Sequence, residues 1–157
     1  VYNQIEQTGL DLQATFEDWL LKLEVISKSE RNRRYTALTG GFENTAVGVF
    51  DSQMDLGFLA EYLFDDRHNE RITPFNNDIL VGARLVWNDA QSTELLAGVI
   101  MDLDHHDRIY NLEASRRIGD SWKINIEAKI FSNIATQSII NSFGREDHLQ
   151  AELAWYF

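Results

Sequence analysis

The feature that most limits what this chain can fold into is an alternation. From Trp122 to Ile130, the residues Trp122, Ile124, Ile126, Ala128 and Ile130 are apolar, and the interleaved Lys123, Asn125, Glu127 and Lys129 are polar. His148 to Phe157 repeats the pattern. Leu149, Ala151, Leu153, Trp155 and Phe157 share one parity; His148, Gln150, Glu152 and Tyr156 share the other, with Ala154 the one break. A period of two sends successive side chains to opposite faces of a strand, so each stretch predicts a strand with one apolar and one polar face. Amphipathic helix is the competing reading for a piece such as Asp18–Lys28, but it needs apolar spacings of three and four.

The same period recurs along the chain and predicts nine strands. The first lies at about 8–16 (Leu10, Leu12, Ala14, Phe16) and the second at about 19–28 (Trp19, Leu21, Leu23, Val25). A third at 35–50 carries Leu38, Gly40, Phe42, Ala46 and Phe50 on its apolar row, with Asn44 a mismatch there. Leu56 to Phe64, Ile79 to Trp87, Leu95 to Leu103 and Tyr110 to Ile118 supply four more. The stretch from Trp122 to Ile130 and the terminal one complete the set, giving an all-β, antiparallel, up-and-down architecture.

The connections fall into two alternating sets. Those near 17–18, 51–53, 88–91 and 119–120 are short and hold no Lys or Arg; Gly119-Asp120 is a two-residue hairpin signal. Those near 29–34, 65–77, 104–108 and 133–147 are mostly longer, the last with a short helical turn around Ile139. Following each strand between the two sets puts Trp19, Trp87, Trp122 and Trp155 at the short-turn rim, all on the apolar parity, with Phe16, Phe50 and Phe157. Tyr62, Phe64 and Tyr110 take the same parity toward the opposite rim. Two aromatic girdles around a band of Leu, Ile, Val and Ala match what a membrane interface selects, since indole and phenol rings join an apolar body to a polar edge. The alternative is a soluble sandwich or lipocalin-like barrel, because parity alone does not say which face is outside.

Composition narrows the classes. At 157 residues the chain is one domain by length, 1–157. No stretch approaches the roughly 20 apolar residues of a membrane-spanning helix, a limit that leaves barrels untouched. Cysteine is absent, which removes disulfides and thiolate metal sites. A net charge of −11 opposes nucleic acid as a partner, because that binding is driven by neutralising phosphates.

The alternating ending that stops on Phe157 resembles the C-terminal strand of Gram-negative outer-membrane β-barrels of the porin-like kind. The resemblance implies a transmembrane barrel in the bacterial outer membrane, with Trp155 and Phe157 in the signal read by the barrel-assembly machinery. It also implies contact with outer-membrane lipid and, at the long-loop end, with lipopolysaccharide. Eight of the fourteen basic residues lie on that side: Lys28, Arg31, Arg33, Arg34, Arg67, Arg71, Arg108 and Arg145. Glu30, Asp65, Asp66 and Asp107 are interspersed, so a solvated charge mix reads equally well. Bacterial single-chain barrels have even strand numbers. Nine strands therefore predict that this is the C-terminal portion of a larger barrel, closed by upstream strands or by a partner chain.

The polar parity is the expected lumen lining: Asp11, Lys22, Glu24, Glu43, Asp55, Glu61, Arg84, Glu94, Asp102, Glu113, Arg117, Lys123, Glu127, Lys129 and Glu152. Ten acids against five bases favour a channel for small hydrophilic solutes with mild cation preference. The alternative is a non-conducting barrel closed by salt bridges, binding another subunit or lipopolysaccharide through its loops. No catalytic set, metal site or cofactor is expected. Asp102, Asp104, His105, His106 and Asp107 supply the residue types of a rim hydrolase. Adjacent histidines point to opposite faces, however, so a hairpin tip is the simpler reading.

Overall fold

The computed structural model describes residues 4–30, 33–67, 75–136, 141 and 146–157. Nine strands follow in chain order: β1 Ile5–Phe16, β2 Trp19–Glu30, β3 Arg33–Val49, β4 Met54–Asp65, β5 Asn77–Val86, β6 Glu94–Asp102, β7 Arg108–Ile118, β8 Trp122–Ser132 and β9 His148–Trp155. They form one antiparallel meander in the order β1 to β9, with no α-helix among the described residues. The sheet is open: β1 pairs only with β2, and β9 only with β8. The barrel expected from the alternation is not closed by these nine strands.

The register carries the alternation across strands as well as along them. One row of directly opposed partners runs Ala14, Leu21, Phe42, Ala60, Val81, Val99, Tyr110 and Ile130 through eight strands, all of it apolar. A slip of one residue at any pair would throw half the sheet onto the wrong face, so this match fixes the register. The row through Trp19, at the mouth of the first short turn, reaches β8 at Ala128, six residues inside the strand from Trp122. Six strand steps of about 4.8 Å against six residues of about 3.3 Å correspond to strands tilted roughly 35° across the sheet. That stagger is the one a closing sheet needs.

The fold has no apolar interior. Among the described residues, the buried ones are Asp65, Asp78, Gly82 and Asp107. The large apolar side chains left exposed lie on the apolar parity, apart from Ile5, Val47, Phe50 and Tyr156.

Several boundaries differ from the sequence reading, each for a local reason. The pairing of β2 with β3 continues through Ser29↔Arg34 and Glu30↔Arg33, so most of the expected 29–34 loop is strand. Polar side chains there are compatible with a ladder that extends beyond the apolar band. β1 likewise starts at Ile5 rather than near 8. The register of β3 against β4 shifts between Ala46 and Val49, where Gly48 takes a φ of 68° and donates its N–H to Asp55 Oδ1. This bulge ends the parity before Phe50, which sits in the turn at φ 60° and not on the apolar row. Ile118 pairs with Trp122, so the hairpin there has three loop residues, not two, with Gly119 at φ 61°. Asn44, the mismatch on the apolar row, donates its amide to Asp18 O at 3.0 Å and ties β3 to the first short turn. The turn expected around Ile139 lies outside the described residues.

Gly41 marks a close approach between β3 and β4. A Cβ built there would meet Ala60 O at 2.4 Å and the Cα of Glu61 at 2.9 Å, so only glycine lets β3 and β4 come together at this point.

Candidate functional site

The polar parity forms the hollowed face. Two cavities of about 540 and 610 Å³ open mainly on it. The apolar face has a shallow cleft of about 220 Å³ beside Trp87, Leu95 and Ile124. All fifteen predicted lumen residues lie on strands of this sheet at the expected parity, which brings them to one face. They do not all face an open space freely.

Two are committed to hairpin tips. Asp55 accepts from Gly48 N at 3.1 Å and from the Asn88 amide at 2.8 Å. Asp102 accepts from the backbone N–H groups of Asp104 and His105, both at 2.7 Å, and faces His105 Nδ1 at 3.2 Å. His105 is thereby held as part of its own turn, and His106 follows at φ 64°. Asp102 and His105, two of the residue types that suggested a rim hydrolase, are bonded to each other within this turn. No group of three or more potential metal ligands occurs among the described residues.

Ion pairs bridge neighbouring strands on the hollowed face, Lys22 with Glu43 and Arg84 with Glu94, whose other oxygen accepts from the Ser115 hydroxyl at 3.2 Å. Glu127 has His148 Nε2 at 3.8 Å. Glu113 accepts from the Asn111 amide at 2.7 Å. Asp11 opposes Glu24, and Glu113 opposes Glu127, each a like-charged cross-strand pair. Such pairs are unfavourable unless water or a cation lies between them.

The sequence reading missed one feature of this face. A single row of partners on it runs Gln13, Lys22, Gly41, Glu61 and then Leu80, Ile100, Ile109 and Phe131. With Leu59 and Leu96 this makes an apolar patch inside the hollow, toward the long-loop end, and it lines the larger cavity. The available signal was the breakdown of alternation in Leu95-Leu96 and Val99-Ile100-Met101, where both faces are apolar.

Aromatic side chains pack together on the opposite face. Trp19 packs on Phe42 and Phe58 with ring centroids 5.3 and 5.8 Å away. Trp122 stacks on Trp155, and Trp155 on Phe157. Phe16 stands 67% exposed beside the first turn. At the far rim the Tyr62 hydroxyl donates to Asn77 Oδ1, and the Asn77 amide donates to Asp104, so a ring on the apolar face anchors its polar tip in the loops. Phe64 and Tyr110 lie on the same face near that rim.

The basic collar is partly neutralised. Arg34 pairs with Glu6 at 2.8 Å, Lys28 with Glu30 at 3.6 Å, and Arg67 with Asp65 while its guanidinium lies 3.9 Å above the Tyr35 ring. Arg31, Arg71 and Arg145 fall outside the described residues. Compared with protein-family models, with curated proteins and with solved structures, the chain shows no match in any of the three.

Proposed function

We propose that this sheet is part of a transmembrane β-barrel of the outer-membrane kind, acting as a channel for small hydrophilic solutes with mild cation preference. The observation that carries the reading is the apolar face itself. It holds an all-apolar row through eight strands, interrupted elsewhere by Asn44 and Arg116, carries most of the exposed large apolar side chains, and has no second layer among the described residues to cover it. At roughly 25 cal/mol per Å², such a face in water would be strongly unfavourable, whereas lipid covers it without any further protein. Strands β1 to β8, at 9 to 17 residues, reach the ~9–11 residues that a spanning strand needs, and β9, at 8, falls just short.

The opposite face supports the channel half of the proposal. Setting aside the two acids held in turns and the two ion pairs, Asp11, Glu24, Glu61, Glu113, Glu127 and Glu152 remain against Arg117, Lys123 and Lys129. The acidic excess survives pairing and would raise the local cation concentration.

Closure sets a condition on the partner. With nine strands, β1 and β9 run in the same direction, so an all-antiparallel barrel takes an odd number of further strands between them. An exposed edge in lipid would leave backbone groups unsatisfied at several kcal/mol each.

Reconstitution in planar bilayers tests the channel. Discrete conductance with a cation-shifted reversal potential in a salt gradient is expected. A folded barrel that conducts nothing favours the second reading, a structural or interaction barrel, for which the Lys22–Glu43 and Arg84–Glu94 bridges are the supporting observation.

A further inference from the structure

We infer that the hollowed face holds a binding site for an amphipathic cation: a small solute with an apolar body and one amine. The inference rests on the proposal that this face is a hydrated lumen, and it deepens that proposal by naming a class of solute. Leu80, Leu96, Ile100, Ile109 and Phe131 line a cavity of about 610 Å³. A wall of this kind is out of place in a lumen that only passes ions, since an apolar surface offers hydrated solutes nothing. It suits the 300–1,000 Å³ typical of small-molecule sites, which combine apolar walls with a few polar groups.

The polar groups are chosen by sign. Glu113 and Glu127 are direct partners in the β7–β8 register and line both this cavity and the more polar one next to it. They stand where the apolar wall gives way to the charged one. Among the described residues neither has a Lys or Arg within ion-pair distance; Glu127 has only His148 Nε2 at 3.8 Å. Asn111, on the same wall, spends its amide donor on Glu113 and leaves its Oδ1 buried without a partner. Lys129, opposite Asn111, is the single base lining the cavity among the described residues. Two opposed carboxylates and an idle carbonyl form a wall of acceptors, and an ammonium group placed between the carboxylates relieves their repulsion. The apolar body then lies along Ile100 and Phe131, and the amine sits at the boundary. A carboxylate head group would meet the same two acids and be disfavoured.

The test uses the protein in lipid nanodiscs, titrated calorimetrically with 3-phenylpropylamine, 3-phenylpropionate and propylamine, with empty nanodiscs subtracted to remove partitioning into lipid. 3-Phenylpropylamine is expected to bind at least about fivefold more tightly than either of the others. The double variant Glu113→Gln/Glu127→Gln should lose that preference without weakening 3-phenylpropionate. Ile100→Ser should weaken the amine while leaving the β-sheet circular dichroism unchanged. Equal or tighter binding of 3-phenylpropionate, equal binding of propylamine, or a preference that persists in the double variant would overturn the site. Conductance of the same preparation keeps the two readings apart. Binding without conductance retains the site and rejects the channel; conductance without discrimination among the three solutes rejects the site alone.

Discussion

Trp122 and Trp155 face each other in the β8–β9 register, their rings stacked with centroids 6.0 Å apart and planes 26° from parallel. Phe157 lies 5.4 Å beyond Trp155 on the same face. Both indoles stay substantially exposed, 42% and 59%. Stacked aromatics are worth about 0.5–1.5 kcal/mol beyond the area they bury. Trp155→Ala should therefore lower stability by at least about 1 kcal/mol in denaturant titrations of the lipid-reconstituted protein. Lipids brominated near the headgroup should quench the remaining tryptophans more than lipids brominated at the chain end. The reverse order would remove the girdle from the interface.

Val99 lies in the middle of the apolar row, between Val81 and Tyr110. Val99→Arg should cost about 2–4 kcal/mol in bilayers, the depth-dependent cost of a cation on the lipid face of a barrel. On the hollowed face Lys123→Arg should change stability by less than about 0.5 kcal/mol. Equal, small effects at both positions would argue for an aqueous exterior.

Gly41 and Gly9 make a matched pair of controls. A Cβ at Gly41 collides with the backbone of Ala60 and Glu61, whereas at Gly9 the nearest atom is Val25 O at 3.8 Å. Gly41→Ala should destabilise by roughly 1–3 kcal/mol, and Gly9→Ala should be neutral or mildly stabilising. Thermal unfolding of the two variants side by side measures the difference.

Asp89 fastens the turn between β5 and β6. The Thr93 backbone N–H donates to Oδ1 at 2.7 Å and the Thr93 hydroxyl donates to Oδ2 at 2.7 Å; together these hold the carboxyl below the usual carboxylate range. A carboxyl depressed in the folded state stabilises above its unfolded pKa, and that contribution is lost as the pH falls through the folded value. Asp89→Asn should therefore be less stable than the parent at neutral pH, with the difference shrinking in acid. A gap that widens in acid would contradict this account of the turn.

The order and direction of the strands were legible because the apolar row and the ladder share one period. A residue such as Leu112 declares its face without reference to anything distant. The bulge at Gly48 was not legible, since its cause is a contact with Asp55 on the next strand, and it alone displaced Phe50 from the apolar row. Asn44 looked like an error of pattern and is a turn anchor, because its partner Asp18 O lies across a strand pair. The charged lining was readable as a parity, but its pairing was not. Arg84 meets Glu94, and Glu113 meets Glu127, only through the register. The inner apolar patch escaped notice because Leu80, Ile100, Ile109 and Phe131 come from four strands and form a surface only once those strands are aligned.

The central claim is that the apolar parity faces lipid and the polar parity faces water. The chain contains no cysteine, so single cysteines placed in turn at 123 to 130 along β8 give unique spin-label sites. In bilayers, labels at 124, 126, 128 and 130 should be relaxed by oxygen and shielded from a water-soluble nickel chelate, and labels at 123, 125, 127 and 129 should show the opposite. The account predicts this alternation with a period of two along the whole strand. Nickel accessibility at the even positions, or no alternation at all, would contradict it.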